Sequence, residues 1–162
     1  MPPATIRVEV IRPFIDASHD VFRTMLGLTL KRHEVYIKRG YRMFGDMTAV
    51  IGLSGPLAGT CALSMPGVAV RASMERLLGE PLDEDLRNPA LRDGAGELIN
   101  MIAGAARTTL GHTPYRFEIT LPTIISGAGH EVFHRANAHC VVVVFDVPDL
   151  AQRVTLDIAV AA

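Results

Sequence analysis

The sequence predicts an α+β domain, on three observations. Apolar residues recur at helical spacing in two long segments, one near the N-terminus and one in the middle of the chain. Most other apolar residues lie in short segments of strand composition that are bounded by glycine and proline. The 162 residues are 49% hydrophobic and 20% charged, enough for one buried core but too few for two. We therefore expect residues 1–162 to form a single domain.

The helices are predicted from apolar spacing and from the residues that start and stop helices. They run from Pro13, in a first turn, to about Leu30, from about Val68 to Leu78, and over roughly residues 90–110. Gly79 and Gly111 fit the ends of the second and third helices. The third is expected to be broken or started afresh near Asp93-Gly94, because glycine interrupts a helical pattern.

The strands are predicted from alternation and from strand composition. They cover residues 5–11, 34–43, 47–54, 57–65, 115–126, 131–135, 139–146 and 152–160. The turn Gly55-Pro56 joins two of them.

Composition argues against several classes of protein. The formal net charge is −1, and Glu34 interrupts the basic residues of segment 31–42, which we interpret as a solvated strand face rather than a nucleic-acid site. No signal peptide is evident, and apolar runs such as Val141–Phe145 are too short to span a bilayer. Cys61 and Cys140 lie far apart in apolar runs and resemble small buried hydrophobes. We expect a cytoplasmic protein.

Two of the predicted helices share a spacing of polar residues and glycine. Asp16, Asp20, Arg23 and Gly27 are spaced like Asp93, Glu97, Asn100 and Gly104. Each helix leads to a strand that contains Leu-Ser-Gly (53–55) or Ile-Ser-Gly (125–127). The pattern indicates a duplicated half-domain; two amphipathic helices that share a spacing by chance are the alternative.

The longest helix has one face that carries the candidate site. With successive residues about 100° apart, Asn100, Met101, Gly104 and Arg107 fall within about 80° of Glu97, and the apolar residues fall on the remaining side. Glycine inside a helix costs roughly 1 kcal/mol relative to alanine. The presence of a glycine at position 104 therefore needs an explanation. It allows either the close approach of a partner or tight packing within the domain.

The spacing of Asp93, Glu97, Asn100 and Pro122 resembles the signature of the CheC/CheX/FliY phosphatases of bacterial chemotaxis. The segments 12–17, 50–55, 59–60 and 122–127 resemble other stretches of CheX-like domains. The resemblance implies an antiparallel sheet with the two longer helices packed on one side and pseudo-twofold internal duplication. The first copy has Asp20 and Arg23 in place of the glutamate and the asparagine, and it has no motif proline. Because arginine cannot replace an amide that both donates and accepts, a single site is expected, as in CheX.

The resemblance also implies a chemistry, the hydrolysis of a CheY-like receiver's aspartyl phosphate. The receiver supplies the phosphoaspartate, Mg²⁺ and a lysine, and this chain binds no cofactor. Asn100 orients the water, and Glu97 pairs with the lysine. Met101, Gly104 and Arg107 contact the partner, Asp93 caps or supports the start of the helix, and Pro122 shapes the strand that supports it. CheX-like proteins pair edge strands, so a homodimer is implied.

Other interpretations remain open. A CheX-like domain could bind a receiver or flagellar-type partner without catalysis, and a purely structural homodimer module would leave the polar helix face unexplained. The segment from His130 to His134 matches the HExxH pattern of zinc proteases. We expect a β-hairpin there, in which the two histidines are roughly 13 Å apart, so no metal site is predicted.

Overall fold

The computed structural model describes residues 7–38, 45–133 and 138–161. Its helices and strands, in chain order, are α1 (Val8–Leu26), β1 (Lys31–Ile37), β2 (Met47–Ser54), β3 (Gly59–Met65), α2 (Gly67–Leu78), α3 (Pro89–Leu110), β4 (Glu118–Ile119), β5 (Thr123–Ser126), β6 (Ala138–Val147) and β7 (Gln152–Ala161). The predicted α+β class is confirmed. None of the helices in these ranges combines the length and the apolar character that crossing a membrane requires.

The strands form one antiparallel sheet in the order β1-β6-β7-β3-β2, and β4 and β5 both pair with the outer side of β2. The centre of the sheet is the β3–β7 pair, in which Leu63 lies opposite Leu156. The chain therefore places its longest strand pairing, β6 with β7, beside the centre and its shortest strands at one edge.

The two faces of the sheet differ in what covers them. Along β6, Val141, Val143 and Phe145 belong to the main core together with residues of all three helices. The alternate residues Val142 and Val144 belong to a smaller cluster on the opposite face. Because side chains alternate across a strand, this division places the helices on one side of the sheet, as expected.

Sheet order supports the predicted internal duplication. Exchanging β1 with the β4–β5 edge, β2 with β6 and β3 with β7 gives the same order of strands, read from the opposite edge of the sheet. The exchange also relates α1 to α3, which precede corresponding strands. The two Ser-Gly segments are not symmetry mates, however, because the exchange relates β2 to β6 and relates β5 to β1.

The first helix begins and ends earlier than predicted. It spans Val8–Leu26 with Arg7 as its N-cap, so the predicted strand at 5–11 is wrong for residues 7–11, and residues 5 and 6 lie outside the described ranges. Val10, Ile11 and Phe14 are buried at helical spacing, which the local alternation obscured. The helix ends at Gly27, whose φ is 62°, before the predicted Leu30.

Three predicted strands need correction. Segment 115–126 forms only the short strands β4 and β5. Between them the Gly52 N–H donates to the side-chain Oγ1 of Thr120, and Pro122 has no N–H to donate. Residues 131–133 are not a strand. The predicted strand at 34–43 is seen as β1, which begins earlier, at Lys31. The remaining parts of these two predicted strands, within 39–44 and 134–137, lie outside the described ranges.

Both cysteines are buried free thiols, as expected. Burial raises the pKa of the Cys140 thiol to about 12, and burial also raises the pKa of Cys61. The thiolate is the reactive form of cysteine. At neutral pH both side chains are therefore unreactive packing groups.

Candidate functional site

Helix α3 carries the candidate site and is continuous from Pro89 to Leu110. Asn88 caps its start, with Oδ1 accepting from the Ala90 N–H at 3.0 Å, and Pro89 occupies the first turn, where its missing N–H costs nothing. The capping role that was one alternative for Asp93 is therefore wrong, since Asp93 lies one turn inside the helix and is exposed. The other alternative, that Asp93 supports the start of the helix, stays a prediction.

The predicted break near Asp93-Gly94 is also wrong, for a reason that lies in another helix. A Cβ on Gly94 would stand 1.8 Å from Sδ of Met74 in α2. Position 94 therefore requires a residue without a side chain, because α2 and α3 pack tightly there. Local sequence could not distinguish this use of glycine from a helix break.

The two central side chains of the site lie one turn apart on the polar face of α3. Glu97 is exposed and Asn100 is half-buried. On the opposite face Leu98, Ile99 and Ile102 are fully buried. Among the described residues, no hydrogen bond or ion pair engages either side chain. The helix thus holds a carboxylate and a carboxamide side by side and in contact with solvent.

Gly104 lies one turn beyond Asn100 on this face and borders open space. A Cβ built on it would have no heavy atom of the described residues within 4 Å, apart from the neighbouring helix backbone. The alternative that Gly104 allows tight packing within the domain is therefore wrong. The bare backbone there leaves room for another molecule.

Two further residues predicted to contact a partner are held by the domain itself. Met101 is half-buried and packs against the main core. Arg107 is exposed, and its Nη1 donates to Oε2 of Glu118 in β4 at 2.8 Å. The structure therefore places Arg107 at the border of the site, where it joins α3 to the edge of the sheet.

Pro122 lies next to the site, immediately before β5. Its Cγ is 3.3 Å from where a Cβ of Gly96 would stand, and Cδ1 of Ile124 is 3.4 Å from the same point. Gly96 therefore allows α3 to approach β5 closely. Gly96 was not predicted to belong to the site, and the only signal for it in the sequence is the group of glycines at 94, 96 and 104 within one helix.

The connection before Pro122 is fixed by Gly52 of β2. The Thr120 N–H donates to the Gly52 carbonyl at 3.0 Å, and the Gly52 N–H donates to Oγ1 of Thr120 at 2.9 Å. A Cβ on Gly52 would stand 2.9 Å from Thr120 side-chain atoms. Gly52 and Thr120 were also missed, because their pairing joins positions 68 residues apart.

The corresponding residues of α1 form a different arrangement. Nη2 of Arg23 donates to Oδ1 of Asp20 at 2.7 Å, within the helix. The helix ends at Gly27, whereas α3 continues six residues past Gly104. The first copy therefore has neither a carboxamide nor an unengaged carboxylate at the matching positions.

The HExxH segment has no described metal site. Nε2 of His130 contacts Oγ1 of Thr48 at 2.5 Å, and its Nδ1 contacts the Gly127 carbonyl at 2.9 Å. His134 lies outside the described ranges. No group of three or more candidate ligands that could hold a metal is found within residues 7–38, 45–133 and 138–161. His130 instead attaches the segment after β5 to the face of the sheet opposite the helices.

Nearby, the predicted solvated face of segment 31–42 is wrong at Lys38. Its Nζ lies 3.1 Å from Oδ2 of Asp157, and both side chains are buried. The Val132 carbonyl also accepts from Nζ of Lys38. The segment after β5 therefore covers a buried ion pair on this face.

The fold and the site together define a class of protein. A groove of about 1180 Å³ lies between α1 and β1, and no residue of α3 lines it. The Glu97–Asn100 pair is instead on an open helix face. The class is thus a pseudo-symmetric α+β domain that presents a carboxylate and a carboxamide on an open helix face.

Comparisons with known proteins identify the family. The family model described as chemotaxis phosphatase CheX matches residues 47–146, more than half of the chain. The CheY-P phosphatase CheX of Thermotoga maritima is 25% identical over 118 residues, which are 73% of this chain and 76% of the relative. This chain therefore belongs to the CheX family of chemotaxis phosphatases.

Solved structures agree in fold over almost the whole chain. A CheC-like superfamily protein from Shewanella sp. PV-4 is similar with a TM-score of 0.88 and 26% identity, covering 97% of this chain and 100% of the other. CheX in a CheX–CheY–BeF₃–Mg²⁺ complex from Borrelia burgdorferi has a TM-score of 0.78 and 26% identity, covering 96% of this chain and 100% of the other.

Proposed function

We propose that this protein hydrolyses the aspartyl phosphate of a CheY-like response regulator. The observation that carries the proposal is the exposed Glu97–Asn100 pair on α3 in a chain of the CheX family. The Thermotoga maritima relative is a CheY-P phosphatase by name, and the Borrelia burgdorferi relative is crystallised with CheY. The open position of the pair suits a reaction centre that belongs to a second protein.

Asn100 is the residue that we assign to the water. In the proposed step a water oxygen attacks phosphorus, the bond from phosphorus to the receiver's carboxylate oxygen breaks, and that oxygen leaves with the electron pair. The water protons go to the released phosphate and to solvent. Such a transfer depends mainly on positioning and charge neutralisation. A carboxamide suits this role because it both donates and accepts on a short side chain.

Glu97 is the residue that we assign to the receiver's lysine. Its carboxylate is exposed one turn before Asn100, so an ion pair there would fix how the receiver sits on α3. Hydrogen bonds between charged groups are shorter and stronger than those between neutral groups. In this proposal the receiver also supplies Mg²⁺, and this chain binds no cofactor and acts in the cytoplasm with its partner.

We also propose a homodimer that pairs β1 with β1 of a second copy. β1 is the edge strand of the sheet in the described residues. Val35 and Ile37 on it are 47% and 51% exposed. An edge strand with exposed apolar side chains is a template for strand pairing, and an isologous contact closes as a twofold dimer.

The decisive experiment follows phosphate release from phosphorylated CheY-like receivers of the same organism. Asn100→Ala should reduce the stimulated rate by about a hundredfold or more, since loss of a positioned group in phosphoryl transfer is of that order. Glu97→Ala should weaken binding and slow turnover. Arg23→Ala, at the matching position of α1, is the control and should retain full activity.

The outcomes separate catalysis from binding alone. If the wild-type chain binds a phosphorylated receiver and leaves its decay unchanged, the protein is a non-catalytic receiver-binding domain. Wild-type turnover by Asn100→Ala would show that another group orients the water. Circular dichroism of each variant establishes that the fold is retained.

A further inference from the structure

Leu121 is 89% exposed, the highest value of any large hydrophobic side chain in the described residues. It lies on the connection between β4 and β5, which we call the 120–122 loop. A single exposed leucine on a protein surface needs no explanation by itself. What distinguishes Leu121 is that its neighbours hold it in place beside the candidate site.

The residues on both sides of Leu121 are fixed. Thr120 exchanges two hydrogen bonds with Gly52, of 3.0 and 2.9 Å, and its Oγ1 also lies 3.2 Å from the Leu121 carbonyl. Pro122 packs against α3 at Gly96. A residue before proline is in addition restricted to extended backbone conformations. The loop therefore presents Leu121 to solvent on a rigid support.

The 120–122 loop runs beside the face of α3 that carries Asn100. Gly96 lies against Pro122, and Arg107 binds Glu118, so the helix and the β4–β5 segment are in contact at two points about 16 Å apart along the helix. Asn100 lies between these contacts on the helix, and Leu121 lies between them on the segment. Leu121 thus borders the site.

We propose that Leu121 is an apolar anchor with which this protein docks a CheY-like receiver. The inference rests on the proposed function, because that function requires a receiver to be seated on Asn100. A stable interface covers about 800 Å² on each partner, equivalent to a disc of about 16 Å radius. A disc of that size centred on Asn100 includes the bordering loop.

The rigidity of the loop determines what the receiver must offer. Because Leu121 cannot withdraw into the domain, a receiver seated on Asn100 has to accept its side chain in an apolar recess beside the phosphorylation site. Apolar side chains that are fully desolvated on binding carry much of the energy of interfaces. Receivers with a charged surface at that position would be excluded.

The test compares Leu121→Ser with Val8→Ser, an exposed residue of α1 that lines the groove beside β1, at the opposite edge of the sheet. Three quantities are measured: the Kd for a receiver activated with beryllofluoride and Mg²⁺, and the kcat and KM for phosphate release. Leu121→Ser should raise Kd and KM about tenfold, or ~1.4 kcal/mol, with kcat unchanged. Leu121→Met should bind nearly as wild type, and Val8→Ser should change nothing.

Other results would overturn the inference. An unchanged Kd for Leu121→Ser, or a lower kcat at unchanged Kd, means that Leu121 is no anchor. If Asn100→Ala is inactive in the same assay, the proposed function stands and only the docking role fails. If Asn100→Ala keeps wild-type turnover, the proposed function fails first and the anchor has no basis.

Discussion

The α1 and α3 sides of the molecule are related by the internal duplication, yet their sheet edges meet the helices differently. On the α3 side, Gly96 allows Pro122 and β5 to pack directly against the helix. On the α1 side the residue with the same spacing is His19, whose ring lies edge-on to Phe145 at 5.3 Å. There an open groove of about 1180 Å³ separates α1 from β1.

The difference teaches that similar spacing of polar residues does not by itself make a site. On α3 the Glu97–Asn100 pair lies beside a closed, fixed edge, and both side chains are unengaged within the described residues. On α1 the matching Asp20 and Arg23 bind each other at 2.7 Å. We infer that the duplication left one half to act on a partner and the other to support assembly.

The largest expected effect tests the open edge on the α1 side. Replacement of Val35 and Ile37 by lysine places two charges at the proposed dimer contact, where burial of an unpaired charge is costly. We expect the dimer dissociation constant to rise at least about a hundredfold, or ~2.7 kcal/mol. Sedimentation equilibrium should then give a dimer for the wild type and a monomer for the variant.

Val68→Lys is the control for that experiment, since Val68 is exposed on α2 rather than on the edge strand. It should leave the dimer intact. A wild-type chain that is monomeric at tens of micromolar would contradict the proposed contact. So would a double variant that remains dimeric.

A smaller effect tests the tight packing on the α3 side. Gly94→Ala places a methyl group 1.8 Å from Sδ of Met74, so the flexible methionine or the helix has to move. Overpacking of this kind costs roughly 1–3 kcal/mol, and the helix propensity of alanine returns about 1 kcal/mol. We expect a net loss of about 1 kcal/mol in the free energy of unfolding, measured by urea denaturation.

The matching position in α1 gives a control in which the substitution is reversed. Ala17 is buried and already carries the methyl group that Gly94 lacks. Ala17→Gly should therefore also destabilise, by about 1 kcal/mol, because glycine is the poorer helix former. If Gly94→Ala proved more stable than wild type, Met74 would have to yield without strain, and the packing argument would be wrong.

Local pattern predicted the long elements and the central pair of the site. The periodicity of α3 placed Glu97 and Asn100 on one polar face, and they lie there. Local pattern failed where the two-residue period of a strand and the helical period fit the same residues. The alternation around Val8 and Val10 suggested a strand, but the burial of Val10, Ile11 and Phe14 follows the helical period. Period alone cannot decide such short segments.

The rest of the site depends on contacts between distant parts of the chain. Gly94 lies against Met74, Gly96 against Pro122, and Gly52 against Thr120. Nothing near a glycine in the sequence tells whether it ends a helix, admits a neighbour or faces solvent. For the same reason the gap between β4 and β5 was predicted as continuous strand, since the hydrogen bonds that interrupt it come from β2.

Gly104→Ala has the smallest expected effect on binding, several-fold in Kd, and separates stability from function most sharply. Because no heavy atom of the described residues lies within 4 Å of the added Cβ, apart from the neighbouring helix backbone, the variant gains helix propensity without a clash. The free energy of unfolding should rise by about 1 kcal/mol.

If a receiver approaches α3 at this bare backbone, the same methyl group should raise its Kd several-fold. Thr109→Ala, on an exposed position of α3, is the control that should leave Kd unchanged. A stabilised Gly104→Ala that binds the receiver as tightly as wild type would mean that the partner sits elsewhere on the helix, and the open space beside Asn100 would then need another explanation.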